Sequence, residues 1–110
     1  MDRVFYSGAS ALALKPVASV VSCRRGGATE AFAQLNMNYL MSNMFVVGSQ
    51  YWNQVHGNTP EQVEQDLEGL QTMRTLSRNM AYFIKCQKVA KDKGIELPTK
   101  EERIPTNFIR

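Results

Sequence analysis

Residues 22–28 read Ser22, Cys23, Arg24, Arg25, Gly26, Gly27 and Ala28, a small, basic, glycine-bearing turn between an apolar run and a helix pattern. Glycines let backbone N–H groups approach a ligand closely, and the amino end of a helix favours an anionic or polar group. The chemistry this turn can do is to cradle such a ligand. A second set, Tyr51, Trp52 and His56, lies in and just before the polar stretch WNQVHGN. Metal chemistry has little to work with. The two cysteines, Cys23 and Cys86, are far apart, no CxxC occurs, and His56 is the single histidine. That count leaves no zinc or iron–sulfur pattern and makes a reduced, cytoplasmic chain the expectation.

Each of these residues also has a plainer role. Arg24 and Arg25 suit a solvated turn, and Cys23 suits a small residue tolerated in a tight one. A reactive thiol would require a lowered pKa. Tyr51 and Trp52 fit aromatic packing at the end of a sheet, and His56 a hydrogen-bonding loop residue. The methionines at 37, 41, 44, 73 and 80 read as core or interface filler.

The turn needs a strand before it and a helix after it. Residues 16–22, PVASVVS, are small, β-branched or proline and carry no charge. Such a run suits a strand buried on both faces of a parallel sheet. A helix over 29–42 follows, with Phe32, Leu35, Tyr39 and Leu40 on one stripe. A second strand is expected over 44–51, MFVVGSQY, and a polar loop over 52–58. Two strands joined by a helix are parallel, so both loops emerge at the same sheet edge. In open α/β sheets that edge is where ligands bind.

Thr59, Pro60 and Gln62 then give an N-cap, a first-turn proline and a capping box. Apolar residues hold helical spacing from Val63 to Ile84, and Gly94 supplies the stop. A single helix from Pro60 to Lys93 would be about 50 Å at 1.5 Å per residue. A break is therefore expected near residues 65–69, with the main helix starting around Asp66. At the amino end, MDRVFY reads as the last turn and a half of a helix ended by Ser7-Gly8, and residues 9–15 as a connector. Residues 94–110 form a tail with two prolines that wraps the domain or a partner.

The global numbers allow one domain with a modest core: 110 residues, net charge +3. Basic residues from Arg74 to Arg103 are mixed with acids and read as a solvated helix face, not a nucleic-acid surface. No apolar stretch approaches the roughly 20 residues of a membrane span. Strand–helix–strand–helix is also incomplete, because two parallel strands cannot bury both faces and both edges.

PVASVVSCRRGGATEAFAQLN, VVGSQYWNQVHG and DLEGLQTMRTLSRNMAYFIKC, in that order, resemble the second half of the flavodoxin-like NAD(P)H-dependent FMN reductases, a group that includes the iron–sulfur flavoproteins. The resemblance covers residues 2–93, and the closing TNFIR also fits. It implies the carboxyl-terminal part of a three-layer α/β/α fold, a homo-oligomer, and FMN with NAD(P)H as cofactors. The Ser/Thr-rich loop that grips the FMN phosphate lies in the family's amino-terminal half, as does the cysteine cluster of the iron–sulfur members. MDRVFY resembles the end of the helix after the third strand, so that Met1 is either an internal methionine or the start of a genuine fragment.

Under the resemblance, Ser22, Cys23, Arg24, Arg25, Gly26, Gly27 and Ala28 match the loop beside the flavin ring. A nearby guanidinium there offsets the negative charge of reduced flavin near N1 and O2. Tyr51, Trp52 and His56 match the loop after the last strand, near the flavin and often a neighbouring subunit's. No catalytic side chain is implied, because hydride passes directly from nicotinamide to flavin N5. Two function classes stay open: an FMN-dependent oxidoreductase whose carboxyl-terminal half this is, and a non-catalytic remnant or interaction module that binds no flavin tightly.

Overall fold

The computed structural model describes residues 2–108; Met1 and the last two residues of TNFIR lie outside the described residues. The chain is mixed α/β, with short parallel strands and helices. In order it runs α1 (Asp2–Leu12), β1 (Pro16–Val17), β2 (Val21–Cys23), α2 (Ala28–Met41), β3 (Phe45–Val46), β4 (Gln54–His56), α3 (Pro60–Gln65) and α4 (Leu67–Asp92).

The first helix does not stop at Ser7-Gly8, as the sequence predicts, but continues to Leu12. Ala9, Ala11 and Leu12 are good helix formers, and packing outweighs the roughly 1 kcal/mol that an internal glycine costs. Phe5, nearly buried, meets Tyr39 of α2 edge to face with ring centroids 5.7 Å apart. Both α1 and α2 then hand over to a strand through a left-handed residue, Leu14 (φ 62°) and Asn43 (φ 54°). Leu14 N–H donates to Asn43 O at 2.8 Å, and Gln87 Nε2 of α4 donates to Leu14 O at 3.2 Å. These bonds hold an unfavourable leucine conformation in place.

The parallel pairing expected from the helical crossover is present, but in two pieces. β1 pairs with β3 (Pro16↔Phe45, Val17↔Val46), and β2 pairs with β4 (Val21↔Gln54, Ser22↔Val55, Cys23↔His56). Between the two ladders the first segment advances five residues and the second nine. The surplus loops out over residues 48–53. This corrects the expected strand over 44–51 and the expected loop over 52–58. Asn79 Nδ2 of α4 donates to Gly48 O (2.9 Å), and Ser49 Oγ donates to Asn53 Oδ1 (2.6 Å), so the exit from the ladder is fixed by polar bonds. Strand then resumes at Gln54–His56, with Val55 buried between two polar neighbours. Likewise residues 16–22 are not one strand but two, interrupted at 18–20.

The later helices follow the sequence closely. Thr59 Oγ1 accepts from Gln62 N, and Pro60 opens α3. The glutamine arm reaches one residue further back than a capping box does, accepting from Asn58 N at 2.8 Å. Asp66 separates α3 from α4, and Gly94, at φ 74°, follows the end of α4. Helix α2 packs on β2 and β3, α4 on β4 and β1, and α1 on α2.

The core between them is thin. Phe5, Ala28, Val47, Val55 and Leu76 are buried, while Val20, Leu40, Tyr82, Ile84 and Val89 among others are exposed. The radius of gyration is 17.1 Å, against about 13 Å for a compact chain of this length. The extents are 48 × 47 × 21 Å, a slab. No helix among the described residues is long and apolar enough to cross a membrane.

Candidate functional site

The site is set by the last rung of the β2–β4 ladder. Cys23 lies opposite His56, and Gly57 N–H donates to Cys23 O at 3.2 Å. Chain leaving β2 as Arg24, Arg25, Gly26 and Gly27 therefore emerges beside chain leaving β4 as Gly57 and Asn58. Parallel strands make this unavoidable, since both carboxyl ends point the same way.

Helix α2 starts at Ala28, one residue earlier than expected, because Gly27 serves as its N-cap. At φ 87° Gly27 occupies the left-handed region that glycine enters without steric cost. No side chain caps the helix, which leaves its first amides free to meet a ligand. Thr29, the expected first residue of the helix, accepts through Oγ1 from Gln54 Nε2 at 3.0 Å, which ties α2 to β4. Ser22, Arg24, Arg25, Gly26 and Gly27 are exposed, Cys23 is half-buried and Ala28 is buried. Neither arginine has a carboxylate partner among the described residues.

His56 is the member of the second set that the fold brings to this loop. Tyr51 and Trp52 do not follow the last strand but precede β4, on the loop at its amino end, because the strand resumes later than predicted. Their rings tilt against each other with centroids 4.9 Å apart, and both are at least half exposed. Trp52, Gln54 and His56 fall on alternate residues, and with Asp66, Glu68 and Thr72 they border a hollow of about 50 Å³. That volume is well below the ~300 Å³ at which small-molecule pockets begin. Residues 22–28 do not border this hollow. The larger hollows, about 470 and 920 Å³, are bordered by the end of α4 and the tail, not by residues 22–28.

One residue of the site was not singled out from sequence. Asp66, known only as the start of α4, accepts from Gly69 N through Oδ1 (2.9 Å) and from His56 N through Oδ2 (2.7 Å). His56 Nδ1 lies 3.6 Å from the same Oδ2. The carboxyl is held below its ordinary pKa by the Gly69 amide first and the His56 amide second, against the opposing effect of partial burial. Asp66 therefore fixes the carboxyl end of β4 to the amino end of α4, and with it the position of His56. The signal available in sequence is the Asp-x-x-Gly spacing in front of an apolar helix, which marks an N-cap.

Comparison with protein-family models, with curated proteins and with solved structures returned no match for the chain.

Proposed function

We propose that this chain is the carboxyl-terminal half of a flavodoxin-like, FMN-dependent reductase that takes hydride from NAD(P)H. The observation that carries the reading is the Cys23↔His56 rung. It sets an uncapped helix start and two unpaired guanidinium groups at the carboxyl ends of parallel strands, where α/β sheets bind ligands. Free amides and cations suit the polar edge of a flavin, which gains negative charge on reduction.

When bound, FMN supplies the hydride-accepting N5 and so the redox chemistry itself. The chain's own contribution is to position and stabilise. The amides of residues 22–28 hold the ring's polar edge, and Arg24 and Arg25 offset its charge. His56, kept in place by Asp66, borders the same edge. Tyr51 and Trp52 sit at the other end of β4, so their reading is aromatic cover for a neighbouring subunit's ring or for the interface between subunits. The phosphate is held by the half of the domain that completes the third layer and the open strand edge.

A second reading, an interaction module without tight flavin binding, draws on the shallow hollow and the thin core. The two readings separate on one experiment. In a protein completed with the amino-terminal half of a family member, Arg24→Ala with Arg25→Ala weakens FMN binding or slows flavin reduction. Charged hydrogen bonds contribute about 1.5–3 kcal/mol each, so a loss of at least roughly tenfold is expected. Both side chains are exposed, so stability stays within about 0.5 kcal/mol of the parent. Flavin fluorescence and NAD(P)H oxidation provide the two readouts. Unchanged binding and unchanged reduction remove the arginines from the site and favour the interaction module.

A further inference from the structure

Between Leu70 and Lys91 helix α4 carries Arg74, Arg78, Lys85, Lys88 and Lys91 and no acid. Lys91 sits in the last turn, where the helix dipole favours a cation, but that effect fades within a turn and does not reach Arg74, Arg78 or Lys85. Arg74 and Arg78, four apart, repel each other. None of these cations has a carboxylate partner among the described residues. Arg78, Tyr82, Lys85 and Val89 recur at spacings of four, three and four, so they share one exposed stripe.

Beside that stripe Tyr82, Cys86, Val89, Ala90 and Ile95 border an open hollow of about 470 Å³. Gly94, at φ 74°, turns the chain back so that Ile95 N–H donates to Ala90 O at 2.9 Å, and Ile95 becomes its end wall. Lys85 and Lys93 complete the border, and no acid among the described residues joins them. Glu96 stands instead at the larger trough, which Phe45, Phe83 and Gln87 border.

We infer that this surface docks a partner protein through an acidic amphipathic helix, its apolar stripe on the floor of the hollow and its carboxylates against Arg78, Lys85 and Lys93. The inference does not depend on flavin binding. Three observations carry it. First, the floor is apolar while every charge around it is positive, so the matching surface is apolar and edged with acids. Second, the hollow is long and concave. From Tyr82 to Lys93 it follows α4 for about 17 Å, three turns, which suits a helix laid lengthwise and not a flat membrane.

Third, the surface stays open when the domain is completed. Thr75 Oγ1 donates to Gln50 Oε1 and Asn79 Nδ2 to Gly48 O, both on the chain leaving β3. Tyr82 and Cys86 continue that row at helical spacing, so the hollow lies on β3's side of α4. Helix α1 packs on α2, hence on the same face of the strands, and right-handed crossovers on one face all step in the same direction. A strand preceding α1 therefore joins at β1, away from β3. The tail leaves the hollow free as well, since Leu97 and Pro98 border the larger trough.

The test titrates the ¹⁵N-labelled full chain with a synthetic helical peptide of about 15 residues, leucine at every third or fourth position and glutamate elsewhere. Amides of Tyr82, Lys85, Cys86 and Val89 are expected to shift, and those of Leu14 and Phe45 to stay. Lys85→Glu with Lys93→Glu weakens binding at least about tenfold, and so does Tyr82→Ser with Val89→Ser. All four side chains are exposed, so both variants keep their fold, checked by far-UV circular dichroism. A peptide of the same composition with its leucines scattered is also expected to bind at least about tenfold more weakly. No binding, shifts centred on the larger trough, or equal binding of the scattered peptide overturns the inference. Binding of the chain to phosphatidylserine vesicles that the same four residues control would make the surface a membrane contact instead. A parent oligomer that Lys85→Glu with Lys93→Glu dissociates would seat a second copy there, and overturns it too.

Discussion

Titrated with FMN, the 110-residue chain binds no more tightly than millimolar, and supplying the phosphate-binding half improves the affinity by at least about a thousandfold. Under the flavin reading the ring-side surface is residues 22–28 with His56, and the hollow that His56 borders, about 50 Å³, is too small for the ring. What would hold FMN firmly is the phosphate loop, whose charge-assisted bonds contribute about 1.5–3 kcal/mol each. Losing three of them is enough for the stated factor, since a thousandfold is about 4.1 kcal/mol. Quenching of flavin fluorescence measures both states. Micromolar binding by the chain alone would mean that the phosphate anchor is replaced or dispensable, with Arg24 and Arg25 as the first cations to test for that role.

Gly69→Ala has the largest effect expected on stability, about 2 kcal/mol of destabilisation or roughly 10 °C in Tm. At an open helical position the same change stabilises by up to about 1 kcal/mol. Here an added Cβ would meet Asp66 Cγ at 2.9 Å and Gln54 O at 3.0 Å, and would press on Asp66 Oδ2. Neither the carboxylate that caps α4 nor the β4 carbonyl can withdraw without breaking the junction. Asp66→Ala removes the cap from the other side and costs about 1–2 kcal/mol. Because both act on one cap, the double variant is expected to lose clearly less than the sum. Asp66 has its pKa depressed in the folded state. Its contribution is thus fully present above the unfolded value of about 3.9, and is lost as pH falls through the folded value. The difference between parent and Asp66→Ala should shrink below about pH 4. Urea unfolding at pH 7 and pH 3 reads all of this, and a stabilising Gly69→Ala would contradict the packing described.

What could be read from sequence was local or forced by chain geometry. Thr59, Pro60 and Gln62 marked the start of α3 because caps are satisfied within four residues. The break at Asp66 followed from length alone, since one unbroken helix would outrun the sheet. Parallel pairing followed from the helix between the strands. What could not be read depended on partners distant in sequence. The second strand leaves its ladder at Gly48, whose carbonyl is taken by Asn79 from 31 residues away. Helix α1 passes through Gly8 because Phe5 meets Tyr39 of another helix. For the candidate site, the shared edge of the 22–28 loop and His56 was legible, because strand direction decides it. The displacement of Tyr51 and Trp52 to the far end of β4 was not, and neither was the bond from Asp66 to His56, which spans the whole of α3.

The central claim is that residues 22–28 and His56 meet the ring of a flavin. A ligand carrying the ring without the phosphate addresses it most directly. Lumiflavin titrated into the ¹⁵N-labelled chain should shift the amides of Cys23, Arg24, Arg25, Gly26, Gly27 and Ala28, and those of His56 and Gly57, with saturation in the millimolar range. Amides around Phe45, Phe83 and Ala90 should stay where they are. Shifts centred on that distant trough, or no shifts at all at millimolar lumiflavin, would contradict the flavin reading and leave the chain as an interaction module.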